Sequence, residues 1–268
     1  MMAISLLQSF LQQEYTSNSI FLTAISVITF LFLAYLAISE IIGKHLQYSK
    51  FWNVNSSAKQ QIKLSSTTGM LILYTPAFLA SLASFWVFPD GGIRFMMAKS
   101  AITIHFFKRV LEVLFVHKYS GGMVLDSAIL ISSSYLFASA AMIYIQHLAQ
   151  GLAEPVIDLK YLGVALFIAG IGGNFYHHYL LSKLRGKDEK GYKIPRGGLF
   201  NLVICPHYLF EILTFIGISF ICQTTFSFSC SIGIALYLIG RSYVTRKWYL
   251  SKFDDFPKDV RALIPYVF

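Results

Sequence analysis

Residues 172–211, GGNFYHHYLLSKLRGKDEKGYKIPRGGLFNLVICPHYLFE, decide how the rest of the chain is interpreted. An apolar helix is predicted to run into this stretch and a second apolar helix to run out of it. Between them lies a basic loop with several Gly residues and a Pro. Ionisable groups are costly in lipid, so at the ends of membrane helices they usually face a cavity. The stretch therefore predicts one half of a cofactor pocket.

The composition is that of an integral membrane protein. The 268 residues are 56% hydrophobic and 13% charged, with a mean hydropathy of +0.60, whereas soluble domains carry about 25% charged residues. The length suits one membrane domain, residues 1–268. The formal charge of +9 does not indicate nucleic-acid binding, because the Lys and Arg residues concentrate in loops between apolar segments. The cysteines have no CxxC spacing, so neither a zinc site nor a disulfide framework is expected.

Seven apolar segments predict an all-α bundle of about seven transmembrane helices. They are residues 20–42, 70–88, 96–116, 125–145, 161–181, 208–223 and 226–243. The first is long enough to remain as an anchor, so no cleavable signal peptide is expected. The basic loops 43–66, 118–124 and 183–206 and the C-terminal tail then share one side, which the positive-inside rule assigns to the cytosol. The loop that holds Glu154 and Asp158 is expected in the lumen, and the pocket is expected to open to the cytosol.

The third apolar segment carries ionisable residues in its middle. His105, Lys108 (or Arg109) and Glu112 recur at helical spacing, so they share one face, which we expect to point into the protein. The alternative is an interfacial helix that carries an intrahelical Lys108–Glu112 ion pair.

Basic side chains gather just beyond the membrane on the expected cytosolic side. Arg185 and Arg241 lie at helix–loop junctions, and arginine is well suited to the phosphates of a cofactor. For any single Lys in these loops, attraction to anionic lipid headgroups is the alternative.

Three polar residues open the sixth apolar segment. His207 and Glu211 lie one turn apart on one face of the predicted helix, beside Tyr208. A Tyr or His at this place could donate a proton or a hydrogen bond to a carbonyl oxygen in a dry pocket. The alternative is compensation of the helix dipole by Glu211.

Other patterns indicate no further site. Walker, HExxH, GxSxG and EF-hand motifs are absent from the sequence. The glycine-rich run at residues 170–173 lies within an apolar helix, so a small-residue packing face is expected there rather than a dinucleotide fingerprint. The adjacent His177 and His178 point about 100° apart on a helix, so no metal site is predicted.

Several motifs resemble the steroid 5α-reductase superfamily. They are YKIPRGGLF at 192–200, CPHY at 205–208 with Glu211, WYL at 248–250 and ALIP at 262–265. HFFKRVLEVLFVHKYS at 105–120 is similar to the very-long-chain trans-2-enoyl-CoA reductases of the same superfamily. CPHY is also similar to polyprenol reductases, and the whole chain resembles plant members named 3-oxo-5α-steroid 4-dehydrogenases.

The resemblance implies a multi-pass enzyme of the endoplasmic reticulum membrane that uses NADPH, bound mainly by residues 174–268. In this family hydride goes to the β-carbon of a C=C bond conjugated with a carbonyl, and a proton goes to the α-carbon. Carried over by position, the cofactor contacts would be Asn174, Arg185, Tyr192, His207, Glu211, Arg241 and Tyr249.

Two departures from the family concern the carbonyl group. Steroid reductases hold the 3-keto oxygen with a Glu in the second helix and a Tyr in the third, and Tyr74 and Phe106 take these places here. Because Phe106 has no hydroxyl, we expect Tyr208, Tyr74 or His105 to polarise the carbonyl.

The expected substrate is a lipid taken from the bilayer. A 3-oxo-Δ4 steroid is favoured, with a trans-2-enoyl-CoA of very-long-chain fatty acid elongation or a polyprenol-type lipid as alternatives. Membrane lipids are expected partners, and partners from a lipid-synthesis complex are left open. A non-catalytic membrane scaffold is the alternative from another class, although the density of cofactor-site residues is against it.

Overall fold

The computed structural model describes residues 9–11, 19–52, 61–119, 121–184, 186, 189 and 191–268. Within these residues the chain forms seven helices of at least 17 residues. They are α1 Ser19–Ile41, α2 Ser66–Val87, α3 Ile93–Leu111, α4 Leu125–Leu148, α5 Lys160–Lys183, α6 Pro206–Cys222 and α7 Thr225–Lys252. Each predicted apolar segment corresponds to one of these helices. The strands β1 Lys63–Ser65 and β2 Gly122–Val124 form a short antiparallel ribbon that precedes α2 and α4.

The chain is a helical membrane protein. Helices α1, α2 and α4 are long and apolar enough to cross a bilayer. Large apolar side chains such as Phe21, Trp86 and Phe137 are exposed on them, as expected of surfaces that face lipid. α6 is apolar but shorter. Buried ionisable residues are most numerous on α3, α5 and α7.

Small residues allow α5 and α6 to pack closely. A Cβ atom at Gly163 would lie 2.7 Å from the Gly217 carbonyl oxygen, and one at Gly170 would lie 2.5 Å from Thr214 Oγ1. The expectation of a packing face at residues 170–173 is therefore confirmed for Gly170 and for Gly173, where an added Cβ atom would clash with the Phe210 ring of α6. It does not extend to Gly172, where an added Cβ would meet nothing within 4 Å.

A buried arginine connects several segments by hydrogen bonds at one end of the bundle. Arg94, at the start of α3, donates from Nε to Glu154 Oε2 at 2.7 Å and from Nη2 to Asp158 Oδ1 at 2.6 Å. Its Nη1 donates to the Ile221 carbonyl oxygen at 2.7 Å. These contacts tie α3 to the α4–α5 loop and to the end of α6. The cavity described next lies at the opposite end of the bundle.

Candidate active site

A cavity of about 230 Å³ lies where the ends of α3 and α5 meet the first halves of α2, α4 and α6, beside the second half of α7 and the loop that follows α1. Seven of the ten site residues expected from the sequence line this cavity. They are Tyr74, Tyr192, His207, Tyr208, Glu211, Arg241 and Tyr249. Arg185 lies outside the described residues, so its expected role stays a prediction.

Asn174 lies behind the cavity wall. Its Nδ2 atom donates to the backbone oxygen of His207 at 2.7 Å, and its Oδ1 atom accepts a hydrogen bond from Lys108 Nζ. It thereby links α5 to the first turn of α6 and to α3. In this arrangement Asn174 holds the residues that line the cavity, and it is not itself among them.

His105 is not brought to the cavity. Its ring is 3% exposed and packs edge-on against Phe106 and Phe215, each at 4.9 Å between centroids. Among the described residues its Nδ1 atom has no hydrogen-bond partner. His105 is therefore not among the residues that line the cavity, unlike Tyr74 and Tyr208, and its expected role stays a prediction.

A buried ion-pair network surrounds Glu112, at the point where α3 continues into the π-helical turn Glu112–Val116. Oε1 of Glu112 lies 2.9 Å from Lys108 Nζ and 3.1 Å from His178 Nδ1, and Oε2 accepts from Arg109 Nη1 at 2.9 Å. The expectation that Lys108 and Glu112 point into the protein is confirmed. The intrahelical pair that we considered as the alternative is also present, but inside the protein.

Arg109, which the sequence analysis placed on the inward face as the alternative to Lys108, lines the cavity. Its Nη2 atom donates to the Tyr74 hydroxyl at 2.5 Å, and its guanidinium group lies 4.6 Å from the centre of the Tyr74 ring. The sequence analysis gave Arg109 no role in the site, although its position three residues before Glu112 indicates that the two side chains meet on the helix.

Potential metal ligands also meet at the cavity. Ligand atoms of Glu112, His117 and His178 lie within 4.8 Å of one another. Lys108 and Arg109 already neutralise the carboxylate of Glu112, so a divalent cation would face two positive charges at this place. We therefore interpret the group as part of the ion-pair network. Burial, followed by repulsion from His178, lowers the pKa of His117 well below its ordinary value.

Several polar groups on the cavity wall are available to a ligand. Among the described residues the buried Nδ1 atom of His207 and the buried Nε atom of Arg109 have no hydrogen-bond partner, and no described residue hydrogen-bonds to the hydroxyl of Tyr208. Buried polar atoms are nearly always hydrogen-bonded, so the two buried nitrogens call for an explanation. A bound molecule with polar groups would provide the partners.

Arg241 lines the cavity with its charge already paired. Its Nη1 atom donates to both carboxylate oxygens of Glu40 at 2.7 Å. The guanidinium group lies between the rings of Tyr48, at 4.2 Å, and Phe51, at 4.4 Å. The sequence analysis missed Glu40, although it is the single acidic residue in the first apolar segment, which is a signal of a functional or paired group.

The α1–α2 loop supplies a second wall that the sequence analysis did not predict. Its turn Ser49–Phe51 lines the cavity, with Lys50 over the rings of Tyr249 and Trp248 at 4.9 Å and 5.5 Å. Lys118 and Lys193 also line the cavity. Lys193 is ion-paired with Glu189 at 2.5 Å. With Lys50 and Lys118 on the wall, the cavity still carries positive charge that attracts an anionic ligand.

Comparisons with known proteins relate this chain to a group of reductases. The family model described as 3-oxo-5-alpha-steroid 4-dehydrogenase matches residues 127–268. The very-long-chain enoyl-CoA reductase of Dictyostelium discoideum is 34% identical over 168 residues, which are 62% of this chain and 55% of that protein.

Steroid reductases show a similar level of identity over shorter stretches. The steroid 5-alpha-reductase DET2 of Gossypium hirsutum is 39% identical over 107 residues, 40% of this chain and 42% of that protein. The 3-oxo-5-alpha-steroid 4-dehydrogenase 2 of Sus scrofa is 36% identical over 126 residues, 47% of this chain and 50% of that protein. The chain spans about half the length of these curated relatives.

Proposed function

The chain belongs to the 3-oxo-5-alpha-steroid 4-dehydrogenase family, and from this premise we propose that it is a membrane oxidoreductase that reduces a C=C bond conjugated with a carbonyl group. Relatives named as steroid 5-alpha-reductases and as an enoyl-CoA reductase support this reaction type. The observation that carries the proposal is the cavity, in which seven expected site residues meet and the Tyr208 hydroxyl has no partner among the described residues.

The proposed cofactor is NADPH, whose reduced nicotinamide supplies the hydride. The residues present fit such a molecule. Lys50 and Lys118 would offer positive charge to its phosphates. The unpartnered Nδ1 atom of His207 and the carboxylate of Glu211 would offer hydrogen bonds to its polar groups. These groups would bind and orient the cofactor at the cavity wall.

The role proposed for Tyr208 is to stabilise charge on the carbonyl oxygen. When hydride forms a C–H bond at the β-carbon, the electron pair of the C=C bond shifts toward this oxygen. A fixed hydroxyl donor stabilises the charge most effectively where water is excluded. A proton from water would then form the second C–H bond at the α-carbon, so the lipid would gain one hydride from the cofactor and one proton. Tyr74, held by Arg109, is the second candidate donor.

The first candidate substrate is a 3-oxo-Δ4 steroid. A trans-2-enoyl thioester is the second candidate, because the similarity to the enoyl-CoA reductase extends over 168 residues, compared with 126 and 107 for the two steroid reductases. Both molecules present a carbonyl next to a C=C bond, so the same donor would serve either one.

The proposed location is the endoplasmic reticulum membrane, with all seven helices crossing it and the cavity open to the cytosol. Helix α6 has 17 residues, which is at the short end of the range that spans a bilayer. Basic residues at the cavity end of the bundle support a cytosolic position for that end.

Incubation with candidate substrates tests the proposed function. Microsomes that carry the protein are supplied with NADPH and a 3-oxo-Δ4 steroid, a trans-2-enoyl-CoA or an unsaturated polyprenal, and the products are identified by mass spectrometry. We expect one of the three to gain two hydrogens, and microsomes without the protein are the control. Reduction of none of them, in membranes where the protein is folded, would contradict the proposal and favour a scaffold.

A further inference from the structure

Glu40 connects three parts of the chain through a carboxylate that is only 1% exposed. Besides its two contacts with Arg241 of α7, it accepts hydrogen bonds from His45 Nδ1 at 2.7 Å and from the backbone N of Leu46 at 3.0 Å. Both residues lie in the loop that follows α1. The carboxylate therefore ties the start of the α1–α2 loop to the middle of α7.

Arg241 continues this connection to the turn at the cavity. Its Nη2 atom donates to the Tyr48 carbonyl oxygen at 3.3 Å, and the rings of Tyr48 and Phe51 pack on its guanidinium group. Glu40 and Arg241 are each 1% exposed. A buried pair of opposite charges is close to neutral as a unit, so Arg241 offers little net charge to a phosphate.

The turn that this pair holds carries Lys50. Lys50 lines the cavity, and its Nζ atom lies 4.9 Å from the ring of Tyr249, which is two helical turns beyond Arg241. The ammonium group of Lys50 therefore lies at the part of the cavity wall where the cofactor contacts are expected. Unlike Arg241, it comes from the loop and not from the buried core.

We propose that Glu40 is a positioning residue, which holds Arg241 and the Ser49–Phe51 turn so that Lys50, and not Arg241, meets a phosphate group of the cofactor. This inference rests on the proposed function, because it needs a phosphate-bearing cofactor in the cavity. It assigns the N-terminal part of the chain, which lies outside the matched family region, a role in cofactor binding.

The two roles for Arg241 predict opposite effects of Glu40→Gln. If Glu40 positions the turn, loss of its charge releases the turn, and the Kd for NADPH rises by about tenfold, as for one lost charge-assisted hydrogen bond. If Arg241 were itself the phosphate ligand, the same change would free its charge and tighten binding. We expect the first result, with kcat at saturating NADPH unchanged, since the contact acts on binding alone.

The measurement is fluorescence titration of the purified full chain in detergent with NADPH, without a substrate. Glu154→Gln is the matched control, because Glu154 also pairs with a buried arginine, Arg94, but at the other end of the bundle. Its Kd should equal that of the wild type. Lys50→Ala should raise the Kd by a similar factor, whereas Lys44→Ala, at an exposed place in the same loop, should not.

Hydrogen–deuterium exchange provides a readout that needs no cofactor. The backbone N–H of Leu46 is bonded to Glu40, so the peptide that contains Leu46 and the Ser49–Phe51 turn should exchange faster in Glu40→Gln than in Glu154→Gln. Lys50→Ala does not remove a core contact of the buried pair, so it tests the proposal even if Glu40→Gln does not fold.

The outcomes separate this inference from the proposed function. A wild-type protein that does not bind NADPH overturns the proposed function and the phosphate role of Lys50 together. A wild-type protein that binds NADPH, with an unchanged Kd in Lys50→Ala or a lower Kd in Glu40→Gln, overturns the inference alone.

Discussion

The Nη2 atom of Arg109 donates a hydrogen bond of 2.5 Å to the phenol oxygen of Tyr74, joining α3 to α2 at the cavity wall. Because the phenol oxygen accepts this bond, its own proton remains available to another acceptor. The positive charge of the guanidinium group also favours donation of that proton. Tyr74 and Tyr208 are thus the two cavity hydroxyl groups that we propose as donors to a carbonyl oxygen.

We expect Tyr208→Phe to lower kcat by about 10²–10³, the usual effect of removing one donor to a developing oxyanion. The affinity for NADPH should change little, because the ring and its packing are kept. Steady-state kinetics at saturating NADPH measure the effect. Tyr144→Phe is the control, since Tyr144 is 52% exposed near the opposite end of α4 and should leave kcat unchanged.

Tyr74→Phe should cost less, about tenfold in kcat, which corresponds to one ordinary hydrogen bond. Tyr74 is already engaged by Arg109, so a carbonyl would share the hydroxyl with an existing partner. The same assay measures this variant. If Tyr208→Phe keeps nearly full kcat while Tyr74→Phe abolishes turnover, the donor is on α2 and the mechanism is closer to that of the steroid reductases.

Much of the fold could be predicted because the length of an apolar segment and the charge of a loop can both be determined from consecutive residues. The helix predicted at residues 20–42 is observed at Ser19–Ile41, and the one predicted at 125–145 at Leu125–Leu148. The ribbon that pairs Leu64 with Met123 was not predicted. Its strands have three residues each, which is too short for an alternating pattern, and they pair across 59 positions of the chain (64 to 123).

The C-terminal wall of the cavity could be predicted for a different reason, since Tyr192, His207 and Tyr249 lie in motifs that resemble a known family. The wall formed by the α1–α2 loop could not, because Lys50 has no helical spacing and meets Tyr249 only through the tertiary fold. The pairing of Glu40 with Arg241 likewise joins residues 201 positions apart. Contacts of this kind have no local signature in the sequence.

Gly170→Ala should destabilise the protein by separating α5 from α6. The new Cβ atom would lie 2.5 Å from Thr214 Oγ1 and 2.6 Å from the Thr214 backbone N, and such overpacking costs about 1–3 kcal/mol. The melting temperature of the purified protein in detergent should fall. Gly172→Ala is the matched control on the same helix, because it meets open space and improves helix propensity by up to about 1 kcal/mol. Equal melting temperatures for the two variants would contradict the packing argument.

The orientation in the membrane can be tested with glycosylation acceptors. An acceptor placed near Glu154 should be modified, because the loop between α4 and α5 is expected in the lumen. An acceptor near Lys187, in the basic loop, should not be modified. A shift in electrophoretic mobility that an endoglycosidase reverses would report the modification, and the reverse pattern would invert the proposed topology.

The last prediction concerns acid stability at the end of the bundle opposite the cavity. Burial alone would raise the pKa of Asp158, but hydrogen bonds from the side chain and the backbone of Lys160, together with Arg94, outweigh it and lower this pKa below its ordinary value. The folded protein therefore holds the proton of Asp158 less tightly than the unfolded chain, whose aspartates have a pKa of about 3.9. By linkage, the contribution of Asp158 to stability is present above that pH and is lost as the pH falls toward the folded pKa.

Asp158→Asn removes this contribution at every pH, because an amide cannot ionise. Its melting temperature in detergent should be below that of the wild type at pH 7, and the difference should shrink as the pH falls from 5 toward 3, an interval of about two units around the unfolded pKa. Asp254→Asn, at an exposed position in the C-terminal tail, is the control and should follow the wild type throughout. A deficit that is equally large at pH 3 and pH 7 would mean that Asp158 stabilises the α4–α5 loop through its neutral hydrogen bonds and not through its charge.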